Sequence, residues 1–182
     1  MRRWLVVALL VLASPAFGAD ALVRAGDTLS LGDKSFRLDG VDAPEPDQIC
    51  LDGSDTVWFC GLEARDRLAA SVAGRAVACE DRGADSVYPT RRSGICHVEG
   101  EFLTLNQWLV REGWALNSES STDSRFQTDQ ARAETDARGL WKGCFVAPWD
   151  FRRWNKSSAT LRGRGCPAGQ DARLLNLLLP DP

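Results

Sequence analysis

Phe36-Arg37-Leu38-Asp39-Gly40-Val41-Asp42-Ala43-Pro44-Glu45 reads as a short strand that breaks at a glycine and continues as an acidic loop stiffened by proline. Phe36 and Leu38 share one strand face, and Arg37 lies on the other. Arg37 and Asp42 would point to opposite sides of a regular strand; Gly40 supplies the bulge or strand end that turns both toward one site. Just upstream stands Gly26-Asp27-Thr28-Leu29. Asp27 and Asp42 offer hard oxygen ligands to a divalent cation, Arg37 can fork onto phosphate oxygens, and Glu45 can order or deprotonate a water. Tyr88-Pro89-Thr90-Arg91-Arg92 brings a further guanidinium.

Around this stretch the chain alternates short strands with helices. Runs 21–31 and 35–41 form an opening hairpin about the turn Leu31-Gly32-Asp33-Lys34, and 42–60 reads as a loop rich in Pro, Asp and Gly. A helix is expected over 62–73, with Leu62, Leu68, Ala69 and Val72 on one stripe and Gly74 as its stop. Strands follow over 75–79 and 93–98. A second helix over 102–112 buries Phe102, Leu105, Trp108 and Leu109 and ends at Gly113. Trp114 and Leu116 alternate like one more strand. A third helix covers 123–138 with Phe126, Gln130, Ala133 and Ala137 inward. Strands interleaved with three helices predict an α+β fold, a small barrel capped by helices, and such barrels offer a groove for oligonucleotides.

Residues 1–18 read as a secretory signal: Arg2 and Arg3, an apolar run from Trp4 to Leu12, and the small-residue site Ala16-Phe17-Gly18. The apolar run is shorter than the roughly 18–20 residues of a membrane span. Residues 19–154 form the expected domain and 155–182 a loosely ordered extension whose leucines can dock on the core. Loss of Arg2 and Arg3 would move the formal charge from −3 to −5, which argues against broad electrostatic capture of nucleic acid but leaves room for a local basic cleft.

Cys50, Cys60, Cys79, Cys96, Cys144 and Cys166 are an even set in an exported chain and read as three disulfides. Six cysteines allow 15 pairings. Local geometry favours Cys50–Cys60 across a short loop and Cys79–Cys96 between two strands, with Cys144–Cys166 left by elimination. Zinc would need tight Cys-x-x-Cys spacing or histidine partners, and His97 is the only histidine.

Gly-Asp-Thr-Leu at 26–29, Arg-Leu-x-Gly-Val-Asp-Ala-Pro-Glu at 37–45, Cys-Gly at 60–61, Cys96, Leu-Val-Arg-Glu-Gly-Trp-Ala at 109–115 and Ala131-Arg132 ahead of Arg138-Gly139-Leu140-Trp141 form an ordered series. That series resembles the thermonuclease family, the staphylococcal-nuclease-like domains, over residues 21–154. The resemblance implies an OB-fold, a five-stranded Greek-key β-barrel with three helices. It also implies calcium-dependent hydrolysis of DNA and RNA phosphodiesters. The signal segment and the cysteines make this an exported protein, periplasmic or secreted, and nothing in the sequence calls for more than a monomer.

By position, Asp27 and Asp42 would bind Ca2+, Arg37 and Arg91 would clamp the phosphate, and Glu45 would activate water. A carbonyl ligand at Ala43 would come from the backbone. Counting back from Cys96 favours Arg91 over Arg92 as the clamp. In exported relatives the positions of Cys50, Cys60, Cys79 and Cys96 look like two disulfides.

The chain departs from the family pattern in three places. Ala25 stands where a further aspartate is usual, one residue is inserted before Arg91, and Asn117-Ser118-Glu119-Ser120-Ser121 replaces a segment that commonly holds tyrosines. Loss of aromatic platforms removes stacking worth about 1–3 kcal/mol per base. These departures motivate an alternative, a catalytically impaired OB-type module binding nucleic acid or a protein partner in the cell envelope.

Taken singly, Asp27 and Asp42 also fit turn residues, and Arg37 a solvated arginine. Trp108, Trp114 and Trp141 read as core. Trp149 and Trp154, with Arg152 and Arg153 between them, read as the tail packing on the barrel, with a basic-aromatic binding patch as the alternative.

Overall fold

The computed structural model describes residues 20–154, 158–167 and 171–179. The expected signal segment lies outside the described residues. In chain order the elements are β1 (Ala21–Ala25), β2 (Thr28–Leu31), β3 (Lys34–Leu38), β4 (Val41–Asp42), β5 (Cys50–Leu51), β6 (Val57–Trp58), α1 (Cys60–Val72), β7 (Val77–Ala84) and β8 (Arg92–Val98). Then come α2 (Leu105–Arg111), β9 (Leu116–Asn117), α3 (Ser124–Thr135), a 3-10 turn (Gly139–Lys142), β10 (Cys144–Val146), α4 (Pro148–Arg153), β11 (Leu161–Gly163) and α5 (Ala172–Leu178).

The main sheet has five strands in the order β1-β2-β3-β8-β7. All neighbours are antiparallel except β3 and β8, which run parallel. That parallel return is the Greek-key step of the expected OB-fold. The run 21–31 is two strands, not one: Gly26 and Asp27 make a tight turn, so β1 pairs with β2 before β2 pairs with β3. The turn can sit where it does only because residue 26 has no side chain. A Cβ there would stand 2.8 Å from that of Ala43 and 3.0 Å from that of Ala64.

One apolar cluster fills the sheet, with Leu29, Phe36, Leu38, Val41, Leu68 and Leu109 all buried and Trp108 and Trp114 packed at its edge. A second gathers Leu116, Ala133, Leu140, Trp141 and Phe145. Trp108, Trp114 and Trp141 thus take the core positions expected of them. In the first turn of α2 the fully buried Asn106 faces β8 and the end of β3. Its amide donates to the carbonyls of Asp39 at 2.8 Å and Gly94 at 3.0 Å, and its oxygen accepts from the Cys96 amide at 3.0 Å. A buried side-chain amide is tolerated because it meets three backbone groups.

Some boundaries differ from expectation. Helix α2 begins after Thr104, whose hydroxyl accepts from the Gln107 amide at 3.0 Å, so Phe102 precedes the helix and is 98% exposed rather than buried. Helix α3 ends at Thr135, and Ala137 has a positive φ of 53°. The loop 42–60 contains the small β5–β6 ladder.

The described part of the extension is ordered on the body of the protein. Strand β11 pairs with β10, and α5 lays Leu175 and Leu178 against Leu51, Val146 and Phe151 in a third cluster. Among the described residues the fold therefore carries two α-helices, α4 and α5, beyond the three expected.

All three expected disulfides are made: Cys50–Cys60, Cys79–Cys96 and Cys144–Cys166. Cys79 and Cys96 are directly paired across β7 and β8. Three disulfides fit an oxidising compartment. Among the described residues no helix is long and apolar enough to cross a membrane.

Candidate functional site

Asp27 is the second residue of the β1–β2 turn, and its backbone carbonyl accepts from the Leu38 amide at 2.8 Å, which ties the turn to the end of β3. Arg37 projects from β3 opposite Thr28 and Ser93. After the glycine turn at Gly40, whose φ is 75°, Asp42 is fixed in β4 by pairing with Leu116 in β9. The local interruption foreseen at Gly40 thus brings Arg37 and Asp42 to one place. Arg37 bridges the two aspartates: its Nε donates to Asp27 Oδ2 at 3.0 Å and its Nη2 to Asp42 Oδ1 at 2.7 Å. Thr28 Oγ1 donates to the other Asp27 oxygen at 2.9 Å.

Glu45 is held by its backbone. Its amide donates to Gln48 Oε1 at 3.3 Å, its carbonyl accepts from the Gln48 amide at 2.8 Å, and Gln48 Nε2 donates to the Val146 carbonyl at 2.7 Å. Gln48 is fully buried. On the other side Gly61, at the start of α1, presses against the same backbone: a Cβ there would lie 1.7 Å from the Glu45 carbonyl oxygen. The Cys-Gly pair at 60–61 therefore has two physical tasks, a disulfide and a close approach.

A side chain that the sequence reading assigned to tail packing completes the site. Arg152, on α4, donates from Nη2 to Asp42 Oδ2 at 2.6 Å and from Nη1 to Asp42 Oδ1 and Glu45 Oε1, both at 2.9 Å. Asp27, Arg37, Asp42, Arg152 and Glu45 thus form one chain of alternating charge. Burial raises the Asp42 carboxyl above its ordinary value against the pull of Arg152 and Arg37. Burial works against the charge on Arg37 too, but Asp27 and Asp42 outweigh it and hold the guanidinium more firmly protonated; Asp42 and Glu45 do the same for Arg152.

Arg91 lines the same open cavity of about 650 Å³ as Asp27, Arg37, Glu45 and Arg152. Its Nη2 donates to Asp85 Oδ2 at 3.2 Å, its guanidinium lies 4.8 Å from the centre of the Tyr88 ring, and its buried Nε has no hydrogen-bond partner among the described residues. Arg92 turns away to Asp81, with contacts of 2.9 and 3.0 Å. Ala25 lies on the cavity wall and offers no carboxylate.

On the far side of Arg37 and Arg152 a second opening, about 500 Å³, is bordered by Asp39, Arg82, Ser118, Glu119, Trp149 and Arg153. Arg153 is paired there with Glu119 at 2.6 Å. Trp149 packs on the second core cluster and Trp154 on Phe151, with ring centres 5.4 Å apart.

Two aspartates and a glutamate are hard oxygen donors of the kind calcium takes. Among the described residues, however, no three His, Cys, Asp or Glu side chains converge as a ligand set. Guanidiniums bridge the carboxylates instead, and Arg152 stands as a cation against Asp42 and Glu45. The donor atoms are of the type a divalent cation takes, and in this structure guanidiniums hold them.

A small five-stranded Greek-key sheet carrying an arginine–carboxylate site in an open cleft defines a class of nucleic-acid-related domains. The chain belongs to the staphylococcal nuclease family: the family described as staphylococcal nuclease homologue matches residues 35–143. It is also 31% identical over 131 residues to the succinoglycan biosynthesis protein ExoI of Rhizobium meliloti (strain 1021). That match covers 71% of this chain and 66% of the relative, so the chain spans just under two thirds of the relative's length.

Proposed function

We propose that this chain is an exported nuclease, periplasmic or secreted, that hydrolyses phosphodiester bonds of DNA or RNA. The observation that carries the reading is the bridge from Asp27 through Arg37 to Asp42, with Asp27 and Arg37 on the wall of a cleft that also holds Glu45 and Arg91. In this reading Asp27 and Asp42 would hold Ca2+, and the chemistry it would supply when bound is that of a Lewis acid. Arg37 and Arg91 fork onto the phosphate and stabilise the charge that builds as the bond to the leaving oxygen stretches. Glu45 accepts a proton from the attacking water. Gln48 and Gly61 fix the backbone that aims Glu45. The three disulfides support export.

Cleavage of single-stranded DNA by the oxidised protein, with calcium and then with EDTA, tests the proposal. Calcium-dependent cleavage that Glu45→Gln abolishes is expected; full cleavage by Glu45→Gln would remove the mechanism.

A second reading, a domain that binds a phosphate-bearing partner without cutting it, draws on Ala25, on the seating of Arg152 against Asp42 and Glu45, and on a relative named for succinoglycan biosynthesis rather than for a nuclease. Retained oligonucleotide binding with no cleavage under any divalent metal would favour it.

A further inference from the structure

Arg152 comes from outside the segment that matches the family, which ends at residue 143. It reaches the site on a helix begun by Pro148 and anchored by the buried Phe151 in the third apolar cluster. Its guanidinium takes both oxygens of Asp42, a carboxylate whose side chain is only 4% exposed, and one oxygen of Glu45. Arg37 takes Asp42 Oδ1 as well. Every Asp42 oxygen is therefore engaged by a fixed positive charge, and the residue placed to activate water shares one of those charges.

We infer that Arg152 occupies the position of the divalent cation, and that a cation binds Asp42 only by displacing it. The inference rests on the calcium-dependent reading above. Asp42 Oδ1 already accepts from both Arg37 and Arg152, and Oδ2 accepts from Arg152, so a third cation added to this carboxylate would meet two guanidiniums at contact distance; removal of Arg152 frees Oδ2 and relieves that repulsion. Arg152 can leave without unfolding: its side chain is 37% exposed and borders an open cavity on either side. Departure frees Asp42 Oδ2 and Glu45 Oε1 together, so cation binding and release of the water-activating carboxylate are one event. The apparent cation affinity is then lowered by the fraction of molecules in which Arg152 is seated. Arg152 acts here as a residue that sets affinity, not as one that touches substrate.

A plain strut between α4 and the sheet would show the same contacts, so the test must read cation binding directly. Calcium is titrated calorimetrically into the full oxidised chain, as wild type, Arg152→Gln, Arg152→Lys, and Arg152→Gln combined with Asp42→Asn. Arg152→Gln should bind calcium at least about tenfold more tightly than wild type, because the competing state is gone. Arg152→Lys, a point charge without the fork, should fall between them. Asp42→Asn should abolish the gain.

Equal or weaker binding by Arg152→Gln, or a gain that survives Asp42→Asn, overturns the inference. If Arg152→Gln is unfolded by circular dichroism, Arg152→Lys decides: tightening upholds the inference, and unchanged affinity overturns it. Cleavage measured on the same proteins separates the two claims. Tighter calcium binding by Arg152→Gln with no cleavage by either protein removes the nuclease reading alone. Calcium-dependent cleavage by wild type with no change in affinity removes the Arg152 inference alone.

Discussion

The carbonyl oxygen of Glu45 occupies the space where a side chain on Gly61 would begin, 1.7 Å from the Cβ position. Gly61→Ala must therefore push the 45–48 loop outward or tilt the first turn of α1. Overpacking of this kind costs about 1–3 kcal/mol. We expect a lower thermal midpoint and a loss of cleavage larger than the stability loss explains, because Glu45 itself moves. An unchanged midpoint would show that the loop yields freely.

Gln48 joins that loop to the β10 strand through the Val146 carbonyl. Gln48→Leu keeps the volume but strands that carbonyl and the Glu45 amide. An unsatisfied buried polar group costs about 1–3 kcal/mol, so the denaturant midpoint should fall by a corresponding amount. A midpoint equal to wild type would mean that both groups find other partners.

Arg37→Ala is expected to be costly for the fold as well as for turnover. Asp27 and Asp42 are 7% and 3% exposed, and Arg37 is the cation between them. Its removal leaves the Asp27 carboxylate, among the described residues, with the Thr28 hydroxyl bond alone and should lower stability by about 1–3 kcal/mol. Arg37→Lys should recover part of the stability while losing the bridge, because one ammonium lacks the planar fork. Equilibrium unfolding of both variants, beside cleavage assays, separates the two losses.

The β7–β8 hairpin should loosen in acid through Asp85. Burial alone would raise its carboxyl, but the amides of Tyr88 and Val87 and the Arg91 guanidinium bring it below its ordinary value in the folded protein. A depressed folded value means that the stabilisation is present above the unfolded value and lost as the pH falls through the folded one. Its contribution should be complete above about pH 5 and fade below about pH 4. Urea unfolding of wild type and Asp85→Asn should differ at neutral pH and converge in acid; a difference independent of pH would exclude this origin.

The motif at 36–45 was legible because its chemistry is local. A glycine that breaks a strand, a proline that stiffens a loop and four charged residues need no distant partner to be noticed. Arg152 was not legible. It lies on a six-residue helix with no periodic stripe to read, and its partners are 107 and 110 positions away. The same locality explains Phe102, whose apolar character suggested the core while the Thr104 cap two residues later started the helix without it. Gln48 and Asn106 carried no signal because polar residues are recognised as interior only once the carbonyls and amides they serve are in place. The order of the tail depended on Cys166 and on leucines meeting a surface that forms only when β10 and α4 fold.

Helix α4 begins five residues beyond the last one that similarity assigns to the family. The border of the family match therefore runs between Asp42 and one of its two counter-charges. A clone trimmed to that border would keep the motifs up to Trp141 yet express a different electrostatic object, with Asp42 and Glu45 stripped of Arg152 and the Cys144–Cys166 staple gone entirely. Swapping such a segment between relatives would exchange the scaffold and leave the tuning behind.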